Sequence, residues 1–205
     1  MNQLKCFRKT HWEEVYSAKV ETGVSWYQGE PAQSLKLIGA VAPAEGGRII
    51  DVGGGASVLV DRLLDLSFGR IAVLDISEIA LNKAKSRLGE RAGRVEWLTA
   101  DVTEVQSVGT FDVWHDRAVF PFLTVPHDRE LYMQTASAAL KPGGQLIITT
   151  FAEDGPAQCS GLDVIRYSPD ALAAEVGRDY RLVETTEEIH LTPFGTQQKF
   201  VYCRF

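Results

Sequence analysis

Arg48-Ile49-Ile50-Asp51-Val52-Gly53-Gly54-Gly55-Ala56-Ser57 decides the reading of this chain. A short apolar strand, Arg48 to Val52, runs straight into three glycines, and Val58 to Leu66 then recurs at helical spacing. Glycine lets backbone pass close to a ligand with no Cβ in the way, and the helix beyond offers free N–H groups. Alone, such a turn is also a plain connector, so its neighbours must carry the argument.

Working outward, strand and helix alternate. Arg70 to Asp75 is a second strand, and Ser77 can cap a helix from Glu78 to Leu88 that Gly89 ends. Val95 to Leu98 and Phe111 to His115 read as strands three and four. A helix from about His127 to Leu140 stops at Lys141-Pro142-Gly143-Gly144, and Gln145 to Phe151 is strand five. Alternation of this kind demands right-handed crossovers and a parallel sheet covered on both faces, an α/β doubly wound fold. Ser168-Pro169-Asp170 opens one more helix, ending at Gly177. Tyr180 to Leu191 and Thr196 to Phe205 then form two long strands around Thr192-Pro193-Phe194-Gly195, a turn too short for anything but antiparallel neighbours.

Residues 1–45 have another texture. Thr10 and Glu13 read as a capping box for a short helix bearing Trp12, Val15 and Tyr16. Pro31 opens a second helix that Pro43 and Gly46-Gly47 close. We read 1–45 as a helical lid and 46–205 as a Rossmann-like domain. In the lid, Trp12, Tyr16, Trp26 and Tyr27 could cover a cationic ligand, since an aromatic face attracts a cation.

Three acids share the carboxyl edge of the sheet. Asp75, at the end of strand two, is placed to accept both hydroxyls of a ribose, and Asp101, after strand three, to accept from the exocyclic amine of adenine. The nicotinamide fingerprint needs a third glycine where Val58 stands, and no lysine follows the glycines as a phosphate loop requires. Asp51 would repel a diphosphate but suits a cation. S-adenosylmethionine, with its ammonium and sulfonium and no phosphate, fits that charge pattern.

The same residues resemble the class I S-adenosylmethionine-dependent methyltransferases. The motifs are Ile49 to Ser57, Leu74-Asp75-Ile76-Ser77, Thr99-Ala100-Asp101-Val102, Phe111-Asp112-Val113 and Leu140 to Gln145, with a middle glycine where the family usually has another small residue. The resemblance implies a seven-stranded, mostly parallel sheet of order 3-2-1-4-5-7-6 with strand seven antiparallel and helices on both faces. It also implies S-adenosylmethionine as cofactor: Asp51 and Gly53, Gly54 and Gly55 at the methionine part, Asp75 at the ribose, Ile76 on the adenine face, and Asp101 with Val102 at the adenine edge. Trp26 joins this cofactor set from the lid.

For the acceptor, His115 and Asp116 are candidates for a base or an orienting pair, and Arg117 for an anion contact. These three are the catalytic candidates, and no metal is called for. No Asn-Pro-Pro-Tyr stretch follows strand four, which speaks against amide or adenine nitrogen as acceptor. Phe120-Pro121-Phe122 and the loop carrying Cys159 are expected to help wall the acceptor pocket. The expected reaction is methyl transfer to a small molecule, a thiol or other soft nucleophile first. Alternatives are protein-lysine N-methylation and a non-catalytic nucleotide-binding module.

Composition narrows the partners. The chain has 205 residues, enough for one domain with a small appendage. With 45% hydrophobic and 23% charged residues, wholesale disorder is excluded. A net charge of −6 argues against a broad face for phosphate backbones, so no nucleic-acid partner is expected. No apolar run approaches the roughly 18 residues of a membrane span, and the first residues lack a signal-peptide stretch, so a cytoplasmic protein is expected, with no membrane partner. Cys6, Cys159 and Cys203, odd in number and far apart, suggest reduced thiols.

Overall fold

The computed structural model describes the backbone of residues 3–41 and 46–205, with side chains from Phe7 onward. Pro43 and the lid boundary at residue 45 lie outside the described residues, as does the side chain of Cys6. The strands are β1 (Arg48–Val52), β2 (Arg70–Asp75), β3 (Val95–Thr99), β4 (Phe111–Arg117), β5 (Leu140–Phe151), β6 (Gln158–Cys159), β7 (Leu162–Asp163), β8 (Glu184–Leu191) and β9 (Gln197–Arg204). The α-helices are α1 (Gln3–Ala18), α2 (Ala32–Val41), α3 (Leu59–Asp65), α4 (Glu78–Leu88), α5 (Pro126–Ala139) and α6 (Pro169–Val176).

Seven strands form one sheet in the order β3-β2-β1-β4-β5-β9-β8. With the small β6–β7 hairpin set aside, this is the expected 3-2-1-4-5-7-6 arrangement. β1 pairs in parallel with both β2 and β4, while β9 runs antiparallel to β5 and β8. Alternation along each strand feeds two cores. Ile49, Ile71, Val73, Val113 and Ile147 face Leu37 and Ile38 of α2 and Leu63 of α3. Ile50, Leu74, Trp114, Leu146 and Ile148 face Tyr132 and Ala136 of α5 and Leu172 of α6. Each such fully buried aliphatic side chain stabilises the fold by roughly 1.5–3 kcal/mol. Among the described residues no helix is long and apolar enough to cross a membrane.

The local signals held where they were local. Ser77 accepts from Ala80 N and caps α4, whose end is Gly89 at φ +60°, and Ser168 caps α6 in the same way. Several elements differ from expectation, among them β8, which starts at Glu184 and not at Tyr180. α1 begins at Gln3, so Thr10 sits inside it, and Glu13 caps another helix: its carboxylate accepts from Ser77 Oγ, Glu78 N and Ile79 N at the start of α4. β5 begins at Leu140, because Leu140 still pairs with Phe111 before residues 141–144 bulge out of register. β4 continues to Arg117, two residues beyond the expected end, and this extension rearranges the candidate site.

Candidate active site

The carboxyl ends of β1 to β4 open onto a cavity of about 110 Å³ roofed by the N-terminal segment, and a smaller one of about 60 Å³ adjoins it. Gly53, Asp75, Ile76, Asp101 and Val102 line the larger, and Asp51, Gly53, Gly54 and His115 the smaller. The glycine turn is packed too closely by its neighbours to admit side chains. Gly53 and Gly55 hold φ of +69° and +44°, and a Cβ on Gly54 would collide with the Asp51 carboxylate and Val73. A Cβ on Gly55 would stand 2.9 Å from Asp75 Oδ2. Without side chains there, the turn packs directly against the Asp51 and Asp75 carboxylates, and Gly53 borders both cavities.

Asp75 is buried, and its Oδ1 accepts from Ser77 N at 2.8 Å. Burial lifts its carboxyl to about 7, with the Asp51 and Glu13 charges adding to the rise and the Ser77 N–H opposing it. Asp101 is more fully engaged than expected. Its Oδ1 accepts from Thr103 N and Thr103 Oγ1, and its Oδ2 takes Arg8 Nη2 at 3.0 Å. Arg8 also pairs with Asp128 at 2.8 Å, so α1 is pinned across the expected adenine edge.

Period-two alternation in β4 splits the catalytic candidates between opposite faces of the sheet. His115 and Arg117 lie on the face toward the N-terminal segment, Asp116 on the other. Asp116 is fully buried: Oδ1 accepts from Val119 N at 2.7 Å, and Oδ2 from Phe120 N at 3.0 Å and Tyr132 Oη at 2.7 Å. Burial pushes its carboxyl up to about 6, against those three donors. This corrects the expectation of Asp116 as a base, since it lines neither cavity and its oxygens are committed to the loop after β4. His115 is corrected too. It is 1% exposed, with Nδ1 2.7 Å from Asp51 Oδ1 and Nε2 2.9 Å from Ser34 Oγ. With Nδ1–H donating to the carboxylate, Nε2 accepts the Ser34 hydroxyl, so no free lone pair remains for a substrate proton. Ser34, on α2, escaped sequence reading because nothing local marks a serine that meets a strand 81 residues later.

Arg117 ends on the cavity wall. Nε donates to Tyr202 Oη and Nη1 to Trp26 O, each at 3.2 Å, and the guanidinium lies 4.7 Å over the Phe200 ring. Next to it Ala118 holds φ +69°, a left-handed conformation costly for a residue with a Cβ, fixed by Ala118 N donating to Thr149 O. Cys159 reaches the same cavity from β6, turned inward by the Ser160-Gly161 turn. It is buried, and burial raises its thiol above the ordinary range.

The N-terminal segment is stitched down along its length. Glu21 pairs with Arg87 at 2.6 Å, Ser25 O accepts from His190 Nε2 at 2.8 Å, and Gln28 Nε2 donates to Glu188. Trp26 is thereby held between the two cavities, edge-on to Trp12 and Tyr16 with ring centroids 5.6 and 6.2 Å away. Trp12 also meets Phe122 edge-on at 5.2 Å. Phe120, by contrast, is buried under Tyr132 on the far face, so only Phe122 of the expected aromatic wall reaches the cavity.

Residues 50–146 match a family model described as a methyltransferase domain. The chain is 23% identical over 150 residues to the eEF1A lysine and N-terminal methyltransferase of Mus musculus, covering 70% of this chain and 21% of that one. It is 30% identical over 120 residues to the ubiquinone/menaquinone biosynthesis C-methyltransferase UbiE of Paracoccus denitrificans, covering 55% and 46%. The chain thus spans less than half the length of these curated relatives. A solved structure concerned with conversion of a disulfide bond into a thioacetal group during echinomycin biosynthesis superposes with a TM-score of 0.78 at 18% identity, covering 96% of this chain and 91% of that one.

Proposed function

From its membership of the class I S-adenosylmethionine-dependent methyltransferases, we propose that this chain transfers the methyl group of S-adenosylmethionine to a small-molecule acceptor inside the lidded cavity. When bound, the cofactor supplies an electrophilic methyl on a sulfonium. The chain's residues do the rest by holding and excluding. Asp51, kept in place by His115 and Ser34, meets the ammonium. Gly53 to Gly55 let the backbone approach the methionine part, and Asp75 accepts the ribose hydroxyls. Ile76 and Val102 sandwich the adenine region, with Asp101 at its edge. Trp26 and its neighbouring rings close the roof, which excludes water and strengthens every charge interaction beneath. The observation that carries this reading is the cavity at the carboxyl ends of the strands, where Gly53, Asp75, Ile76, Asp101 and Val102 line one wall.

Calorimetry tests it. S-adenosylmethionine or its demethylated product should bind and NAD should not; tight NAD binding with none of S-adenosylmethionine overturns it. The same titration carries a proton signature. Asp75 titrates at about 7 in the free protein. Hydroxyls donating to it favour the ionised form, so binding expels a proton below that pH. Affinity should therefore fall by about tenfold per unit as pH drops below 7, and Asp75→Asn should flatten that slope while weakening binding by about 1–3 kcal/mol.

Ser34→Ala is a milder probe. It leaves His115 Nε2 buried without a partner, costing about 1–2 kcal/mol of stability, and loosens Asp51. Cofactor affinity should fall severalfold with the acceptor KM unchanged. An unaltered dissociation constant would mean that Asp51 needs no such support.

A second reading, methylation of a protein lysine, is favoured by the relatives that act on eEF1A. An acceptor screen with labelled methyl donor, setting small thiols and amines against lysine peptides, separates the two.

A further inference from the structure

Among the described residues, the acceptor end of the cavity has an arginine and no free base. Of the cations lining it, Arg8 is spent on Asp101 and Asp128. Arg117 is committed only in part: Nε and Nη1 donate to Tyr202 and Trp26, while its buried Nη2 makes no hydrogen bond and has only a long ion-pair contact. The nearest carboxylate oxygen, Glu188 Oε2, is 3.9 Å away and already accepts from Tyr202 Oη, while Glu188 Oε1 accepts from Gln28. The acids that line the cavity, Asp75 and Asp101, both stand at the cofactor end. A lysine ammonium arriving beside Arg117 would find a like charge, and the nearest carboxylate, Glu188, already engaged by Tyr202, Gln28 and Arg117 itself. Among the described residues, groups free to take a proton are lacking there as well. His115 is tied to Asp51 and Ser34, Asp116 lies across the sheet, and the Cys159 thiol is raised by burial. An amine or alcohol needs its proton removed during attack, whereas an anion does not. Aromatic rings, Trp12, Trp26, Phe122, Phe151 and Phe200, make up much of the remaining wall, with Ala118, Val119 and Leu123 aliphatic beside them.

We propose that the acceptor is a small aromatic anion of the arenethiolate or heteroarenethiolate class, its charge met by the Nη2 edge of Arg117. This rests on the methyltransferase reading above. The acceptor's sulfur–carbon bond forms as the donor's methyl–sulfonium bond breaks, the donor leaves as a neutral thioether, and no proton moves. Charge is annihilated in the step, which a water-poor aromatic chamber favours.

The test uses 4-nitrothiophenolate, an anion at neutral pH whose colour bleaches on S-methylation, against benzylamine and a lysine peptide. Binding of the thiolate is also measured by calorimetry on protein loaded with S-adenosylhomocysteine, where nothing can react. The thiolate should turn over at least about tenfold faster than either amine. Arg117→Gln should weaken its calorimetric affinity and raise its KM by roughly 10–100-fold, Arg117→Lys should restore much of both, and cofactor affinity should stay within about twofold in each variant. Preference for an amine, or an unchanged thiolate affinity in Arg117→Gln, overturns the proposal. Loss of cofactor affinity in both variants also overturns it, by giving Arg117 to the cofactor. Failure of the wild-type chain to bind S-adenosylmethionine would instead defeat the methyltransferase reading itself.

Discussion

Deleting residues 1–30 is expected to leave the seven-stranded sheet folded while lowering methyl transfer by about a thousandfold. The folding half of this rests on where the cores draw their residues. Among the described residues, neither large core has a fully buried member before Leu37. α1 adds only a satellite in which Tyr16 packs on Ala56 and Ala80. Its loss removes the Glu13 cap from α4, worth about 1 kcal/mol, and the Arg8 bridges. Asp101 and Asp128 would then meet water instead of remaining buried and unpaired. The activity half follows from the roof: Trp12, Tyr16 and Trp26 go together, and the chamber becomes an open cleft. Far-ultraviolet circular dichroism with a thermal melt reads the fold, and turnover at saturating cofactor reads the chemistry. Normal turnover in the truncated protein would reduce these rings to packing.

What was legible in the sequence was what is decided within a few residues. The glycine turn, the Ser77 and Ser168 caps, the Gly89 stop and the acid closing β2 each depend on near neighbours, and each stands where it was read. The site's outer parts depend on distant pairings. Arg8 meets Asp101 across 93 positions and Ser25 meets Cys159 across 134, and no local pattern reports such contacts. The β6–β7 hairpin was readable in principle from Ser160-Gly161, a two-residue turn signal. β4 shows how a boundary error spreads. Ending the strand at His115 makes His115, Asp116 and Arg117 a loop in which all three can face one acceptor. Ending it at Arg117 hands Asp116 to the opposite face. Two residues of strand separated a base from a structural carboxylate.

Asp116→Asn therefore tests architecture, and its expected effect is on folding. In the native protein one fully buried carboxylate takes three donors, Val119 N, Phe120 N and Tyr132 Oη. A carboxamide has one oxygen. Either way it is turned, its NH2 group faces a backbone N–H that cannot move, because both belong to the turn joining β4 to the short 3₁₀ segment Phe120–Phe122. Tyr132 is fixed as well, since its oxygen already accepts from Trp114 Nε1 at 2.8 Å. One buried donor is left unsatisfied and a charge-assisted bond is lost, for a cost of about 2–4 kcal/mol. In a chain this size that lowers the melting temperature by roughly 5–15 °C. The same turn carries Val119, which packs against the Gly53 backbone, so residual activity should fall modestly even where the variant is folded. The decisive comparison sets a thiolate acceptor against an amine at a temperature where the variant is fully folded. A carboxylate that only holds the loop predicts equal fractional losses, whereas a general base predicts selective loss of the amine reaction. A selective loss, with the melting temperature unchanged, would return Asp116 to the chemistry and take away its place in the core.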